Sequence, residues 1–232
     1  MSGSQVDTEL ADPHVASAAA AVFGARRDIA IRFADQLADA GVVRGLLGPR
    51  EVPRLWTRHL LNCAALSAYL PVNARVVDVG SGAGLPGLVL AIARADLQVD
   101  LVEPMLRRTT FLQETIGLLG LTGRVRVHRG RAEEAQIRSS VGGAEWVTAR
   151  AVAPLDRLVT WCLPLLADGG RLLALKGQSA PDEAAALTSQ VRVDARAASV
   201  GTMPTGDGSF VITVERAVRR RGRGGVERDV RL

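Results

Sequence analysis

The sequence predicts an α/β fold: a mostly parallel sheet flanked by helices, closed by a C-terminal antiparallel hairpin and preceded by a helical extension. Three observations predict it. From residue 73 onward, short β-branched runs alternate with helix-length segments, as in strands joined by crossover helices. Before residue 73, apolar residues recur at spacings of three and four with no strand signal. After residue 190, two strand-like runs follow each other with only a Gly/Pro-rich connection between them.

The elements follow in order. Residues 1–13 are small, polar and acidic and are expected to be disordered. In the helical extension, 14–72, Phe23, Arg27, Ala30, Phe33, Ala34 and Leu37 mark one helical face before a break at Gly41. A second helical stretch runs from Val52 to Tyr69 and stops before Pro71. The main domain, 73–218, opens with the strand Arg75–Gly80. Strands are then expected at Gln98–Glu103, Arg124–His128, Glu145–Arg150 and Arg171–Lys176. Helices are expected at Pro86–Arg94, Met105–Leu119, Ala132–Arg138, Pro154–Leu166 and Pro181–Ser189. The runs Val191–Val200 and Ser209–Arg216 form the hairpin, and the Arg/Gly-rich tail 219–232 is expected to be disordered.

A chain of 232 residues can bury a core without disulfides. Its two cysteines, Cys63 and Cys162, have no CxxC partner or histidine pair, which excludes a disulfide framework and a metal site and fits a reducing cytoplasm. No run of 18 apolar residues occurs, and the apolar run Val15–Ala25 follows an acidic start, so neither a membrane span nor a signal peptide is read. Of 29 basic residues only Lys176 is lysine, leaving 28 arginines, and the formal charge is +5. That balance suits a polyanionic partner. The cluster Arg216, Arg219, Arg220, Arg221 and Arg223 suggests an auxiliary grip on RNA phosphates.

The chemistry begins at Asp78-Val79-Gly80-Ser81-Gly82-Ala83-Gly84. A strand delivers its end to a turn where glycines let the backbone approach a ligand closely. Gly82–Gly87 also satisfies the dinucleotide pattern GxGxxG, so a nucleotide-dependent oxidoreductase is the alternative. The glycines start at the strand end with Gly80, and Asp78 precedes them, as in the acidic-x-GxGxG turn of Rossmann-like class I methyltransferases. Asp78 has two available roles there, holding the turn or reaching the cofactor. Glu103 ends the second strand 19 residues after Gly84, where a carboxylate can accept both hydroxyls of a ribose. Ala132 and Glu133 follow the third strand, where such folds pass an adenine. From spacing alone a surface helix start explains Glu133 equally well. Arg150 and Lys176 end the fourth and fifth strands on the same rim. His59 stands with Trp56, Arg58 and Asn62 on a helix, and spacing leaves it unassigned.

These motifs resemble the RsmG (GidB) family of bacterial 16S rRNA guanine-N7 methyltransferases. The resemblance runs from about Arg50 to Gln178 and rests on Arg58-His59-Leu60-Leu61, Val77 through Gly87, Thr148-Ala149-Arg150-Ala151 and Ala174-Leu175-Lys176-Gly177-Gln178. It implies S-adenosylmethionine as cofactor and 16S rRNA or the small ribosomal subunit as partner. It implies adenosylmethionine contacts at Gly80, Leu85, Ala132, Glu133 and Arg150, joining Asp78, Gly82, Gly84 and Glu103 in the cofactor site. Arg131, Arg150 and Lys176 become the basic groups of an rRNA-facing active site, with His59 as a neighbour. The chain departs from the family at Asn62-Cys63, where the family often has Asp-Ser, and this argues against an acid/base role for the histidine segment. A monomer in the cytoplasm, needing neither metal nor membrane, is expected. The rival functions are a methyltransferase of small molecules or proteins, and a non-catalytic rRNA-binding assembly factor.

Overall fold

The computed structural model describes residues 9–150, 153–194, 197–204 and 208–217. Its centre is a seven-stranded sheet of β1 (Arg75–Val79), β2 (Gln98–Glu103), β3 (Val125–Arg129), β4 (Ala144–Arg150), β5 (Leu166–Lys176), β6 (Ala197–Pro204) and β7 (Phe210–Arg216). The strand order is β3-β2-β1-β4-β5-β7-β6. Strands β1 to β5 are parallel, and β7 pairs antiparallel with both β5 and β6. The expected hairpin is therefore present, with its second strand inserted between β5 and the first.

Alternation along the strands divides the core. Val76, Val99, Leu101, Leu173 and Leu175 belong to one cluster. Val77, Val79, Val102, Leu172 and Ala174 belong to the other. This is the period-two pattern of a sheet covered on both faces. Helices α1 (Pro13–Phe23), α2 (Arg27–Gln36), α3 (Gly87–Ala93) and α4 (Leu106–Leu118) contribute to the first cluster. Helices α5 (Ala135–Val141), α6 (Leu155–Cys162) and α7 (Ala180–Asp194) contribute to the second.

Helix α3, Gly-Leu-Val-Leu-Ala-Ile-Ala, is buried at every residue. It is apolar all round because the sheet takes one side and the N-terminal helices take the other. The helical extension thus shares one core with the sheet: Phe23, Phe33, Trp56 and Leu60 join Leu88, Leu90 and Ile92. Phe23 meets Trp56 edge to face, with centroids 6.0 Å apart. Arginines close the far end of α3, whose last carbonyls have no helical partner. Arg26 donates to Ile92 O and Ala93 O, both over 2.7 Å, and Arg124 donates to Ala91 O over 2.6 Å.

Several expected boundaries move. Of the stretch expected to be disordered over 1–13, the described residues 9–13 are held in place: Glu9 accepts the Trp56 and Thr57 N–H groups, and α1 begins at Pro13 with Asp12 as its cap. Residues 1–8 lie outside the described residues. The stretch expected as one helix over Val52–Tyr69 is a chain of 3₁₀ (Pro49–Arg54), π (Leu55–Leu61), α (Asn62–Ala64) and 3₁₀ (Ala65–Tyr69) turns. The helix expected over Ala132–Arg138 begins at Ala135, leaving Ala132 and Glu133 in the preceding turn. Helix α6 ends at Cys162 because Pro164 cannot continue it. The strand expected from Val191 begins at Ala197, since α7 continues through Asp194; its alanine run favours helix over strand. The expected 201–208 connection is strand up to Pro204.

Candidate cofactor and RNA site

Strand register assembles the site. Val79 lies beside Val102 of β2 and Ala149 of β4, so Gly80, Glu103 and Arg150 emerge together at the carboxyl ends of three parallel strands. Arg150 lies beside Leu175, so Lys176 extends the same rim. Strand order reverses between β1 and β4, and open α/β sheets bind ligands in the crevice at such a point.

The glycine turn is built for close approach. Gly80, Gly82 and Gly84 have positive φ of 70°, 57° and 94°. A side chain on Gly84 would lie 2.5 Å from Leu88, so the turn sits directly on α3. One on Gly87 would strike Leu101 and come within 2.7 Å of the Asp78 carboxylate. Gly80 and Ser81 donate to Val102 O over 2.8 and 3.2 Å, anchoring the turn to β2. Gly82, with no atom nearer than 3.8 Å to an added Cβ, leaves backbone facing open space. A glycine cradle with an acid beside it fits the amino-acid and ribose parts of adenosylmethionine.

Asp78 acts on the turn from behind. It is fully buried, accepting the Gly87 N–H over 3.1 Å and the Thr148 hydroxyl over 3.1 Å. Of its two expected roles, the hydrogen bonds from Gly87 and Thr148 support holding the turn. Burial pushes the Asp78 carboxyl up to about 6, against hydrogen bonds from Ser81, Gly87 and Thr148 that favour its ionised form. It also caps the first amide of α3, so that helix end does not point a free Gly87 N–H at a ligand.

Glu103 is 1% exposed. One oxygen accepts the Met105 N–H and the other the Gly82 N–H, each over 3.0 Å, with Arg108 at 3.6 Å. A carboxylate offers about four acceptor sites, so capacity for hydroxyl donors remains. Leu85 is half-buried beside the turn. Ala132 is buried and Glu133 and Arg131 are exposed after β3.

Arg150 faces the helical extension. Its guanidinium donates to His59 Nδ1 over 2.8 Å, to Arg58 O over 3.1 Å and to Cys63 Sγ over 3.4 Å. The departure from the family pattern at Asn62-Cys63 thus lies against Arg150. His59, with 8% exposure, meets Glu51 Oε2 through Nε2 over 2.9 Å. Burial and the Arg150 charge hold the imidazole's pKa below its ordinary value, against the opposing pull of Glu51.

Lys176 ends β5 on the rim and is engaged within the fold. Its ammonium donates to Ala153 O and pairs with Glu183 Oε2, both at 2.8 Å, and its side chain is 10% exposed. Glu183 also accepts the Leu155 N–H and the Ser179 hydroxyl. The only lysine of the chain therefore ties the segment after β4 to α7. Arg216 is likewise engaged, with Asp168 and the carbonyls of Leu163 and Leu166. The other arginines of that cluster lie outside the described residues. Sequence reasoning missed Glu51 and Glu183; each partners a predicted residue from a distant or irregular segment, and no motif marks such pairings.

Among the described residues, no group of three or more His, Cys, Asp or Glu is placed to hold a metal, and no helix is long and apolar enough to cross a membrane.

The sheet order, the glycine turn and the acid ending β2 define a Rossmann-like methyltransferase architecture. Solved structures share that fold. An S-adenosylmethionine-dependent methyltransferase, SibL, aligns with a TM-score of 0.57 at 21% identity, over 72% of this chain and 57% of that one. An S-adenosyl-L-methionine-dependent methyltransferase structure from Methanococcus maripaludis aligns at 0.54 and 14% identity, over 70% and 86%. The chain belongs to the GidB family, rRNA small subunit methyltransferase G, which it matches over residues 26–208. It is 61% identical over 180 residues to ribosomal RNA small subunit methyltransferase G of Salinispora arenicola, covering 75% of this chain and 73% of that protein. It is 52% identical over 215 residues to the Streptomyces coelicolor protein of the same name, covering 92% and 89%.

Proposed function

We propose that this chain transfers a methyl group from S-adenosylmethionine to N7 of a guanosine in the 16S rRNA of the small ribosomal subunit. We take it to act as a monomer in the cytoplasm. The observation that carries the reading is one rim that gathers the glycine turn, Glu103 and Arg150 in a chain of the GidB family.

When bound, adenosylmethionine supplies an electrophilic methyl group on a sulfonium. Gly80, Gly82, Gly84 and Leu85 would hold its amino-acid end, Glu103 its ribose hydroxyls, and Ala132 with Glu133 its adenine. Arg150, at the end of β4 on the same rim as this cradle, would bridge cofactor and RNA. Arg131, exposed after β3, would bind RNA phosphate. Lys176 would act through the segment it ties down, holding Ala153 directly and Leu155 through Glu183.

Guanine N7 carries an exposed lone pair, so the acceptor needs no deprotonation. The acids and the imidazole placed here fit that demand. Asp78 is buried behind the turn, Glu103 holds two amides, and both His59 nitrogens are engaged. Rate enhancement comes from positioning N7 in line with the methyl group, worth several kcal/mol. Methylation places positive charge on the purine, so the arginines must meet phosphate or O6 and stay off N7.

The test is nucleoside analysis of small-subunit rRNA from a strain lacking this protein. Loss of one 7-methylguanosine, restored by the wild-type chain and not by Arg150→Ala, is the expected result. An unchanged nucleoside profile would overturn the reading.

A further inference from the structure

The chain Glu51–His59–Arg150 joins an irregular turn of the helical extension to the end of β4 through one imidazole. A guanidinium can only donate hydrogen bonds, so the His59 Nδ1 that meets Arg150 must carry a lone pair. The ring proton then sits on Nε2 and is donated to Glu51. The opposite tautomer would set two N–H groups against each other at 2.8 Å.

We propose that Glu51 is a positioning residue for methyl transfer: by fixing the Nε2–H tautomer of His59, it holds the Arg150 guanidinium at the cofactor rim. This rests on the reading of Arg150 as the bridge between cofactor and RNA. Glu51 suits the task because it is itself held. Arg54 donates to it over 3.0 Å, and Arg58 approaches to 3.5 Å. Burial alone would raise its carboxyl, but the bond from His59 and the charges of Arg58, His59 and Arg54 outweigh that and keep it ionised. Arg150 has two further acceptors, Arg58 O and Cys63 Sγ, that fix its plane but do not depend on protonation.

The arrangement is also sensitive to acid. Protonating His59 places an N–H against Arg150 and adds a second cation beside it. The charged and titratable groups facing this imidazole are Glu51 and Arg58 from the extension and Arg150 from β4, with Arg54 behind Glu51 and Cys63, also of the extension, against Arg150. Only Glu51 favours the imidazolium.

The first measurement needs no variant. The chain has three histidines, so the ring-nitrogen resonances of His59 can be assigned in the labelled full-length protein. A bare Nδ1 and protonated Nε2 at pH 7.5 are expected; a protonated Nδ1 would overturn the proposal. Methyl transfer to unmethylated small subunits is then measured from pH 5.5 to 8.5. Glu51→Ala should lower kcat/KM by about 10-fold, as loss of an orienting outer partner does elsewhere. Glu51→Gln, whose amide oxygen can still accept Nε2–H, should restore most of it and move the acid limb to lower pH. Equal losses for Ala and Gln, or an unmoved acid limb, would leave Glu51 as packing only and overturn the inference. Arg150→Ala separates the two layers. If it retains wild-type kcat/KM, the bridging role of Arg150 fails. If it is inactive while Glu51→Ala is normal, only the positioning role of Glu51 fails.

Discussion

The Glu103 carboxylate accepts the Gly82 N–H over 3.0 Å, so the end of β2 fixes the turn that follows β1. The same carboxylate holds the Met105 N–H that starts its own exit. One buried acid therefore sets the geometry of two strand ends.

Glu103→Gln should weaken adenosylmethionine binding by about 10- to 100-fold, the equivalent of one charged hydrogen bond. The replacement amide can put an N–H against Gly82 and cannot offer a charged acceptor to hydroxyls. Titration calorimetry reads the change, and wild-type affinity would remove Glu103 from the cofactor site.

Lys176 and Glu183 should behave as one unit. Either alanine variant frees the Ala153–Leu155 segment, so both should lower kcat/KM for the RNA by similar factors, and the double variant should cost little more. Were Lys176 a direct phosphate ligand, Glu183→Ala would tighten RNA binding. Lys176→Ala would then reduce the salt slope of binding by about 1.

Asp78 gives stability a pH dependence of known sign. An acid whose folded pKa is raised binds a proton on folding. It therefore stabilises the fold at low pH, and that contribution is lost as pH rises. For Asp78 the window runs from 3.8 to about 6. On moving from pH 7 to pH 5, the wild type should gain roughly 1 kcal/mol relative to Asp78→Asn. Urea midpoints of the two proteins at both pH values check this, and His59 and the surface carboxylates cancel in the comparison. Parallel shifts would mean that Asp78 titrates normally.

Gly87→Ala tests the packing behind the turn. The added methyl would strike Leu101 and the Asp78 side chain. Overpacking of this kind costs about 1–3 kcal/mol, visible as a lower melting temperature. An unchanged melt would show that the turn can shift away from β1.

The strands and their shared rim were legible because β-branched runs, glycine and proline signals are local. Parallel crossover connections then leave the five strand ends on one side. The glycine turn was legible for the same reason. The direction in which Asp78 acts was not, since a strand residue points to one face or the other according to packing from Thr148 and α3. The pairing of Lys176 with Glu183 was not legible, because Glu183 lies on a helix whose docking no motif records. The tie between Arg150 and His59 spans 91 residues and depends on how the extension packs on the sheet. Near Val191, β-branched residues suggested a strand, while the preceding alanine-rich segment carried α7 onward.

The central claim is tested most directly by incubating the protein with radiolabelled adenosylmethionine and small subunits from a strain that lacks it, then digesting the rRNA to nucleosides. The account predicts label in 7-methylguanosine at one site of the 16S rRNA. Label in another nucleoside or in ribosomal protein, or none despite measurable cofactor binding, would contradict it.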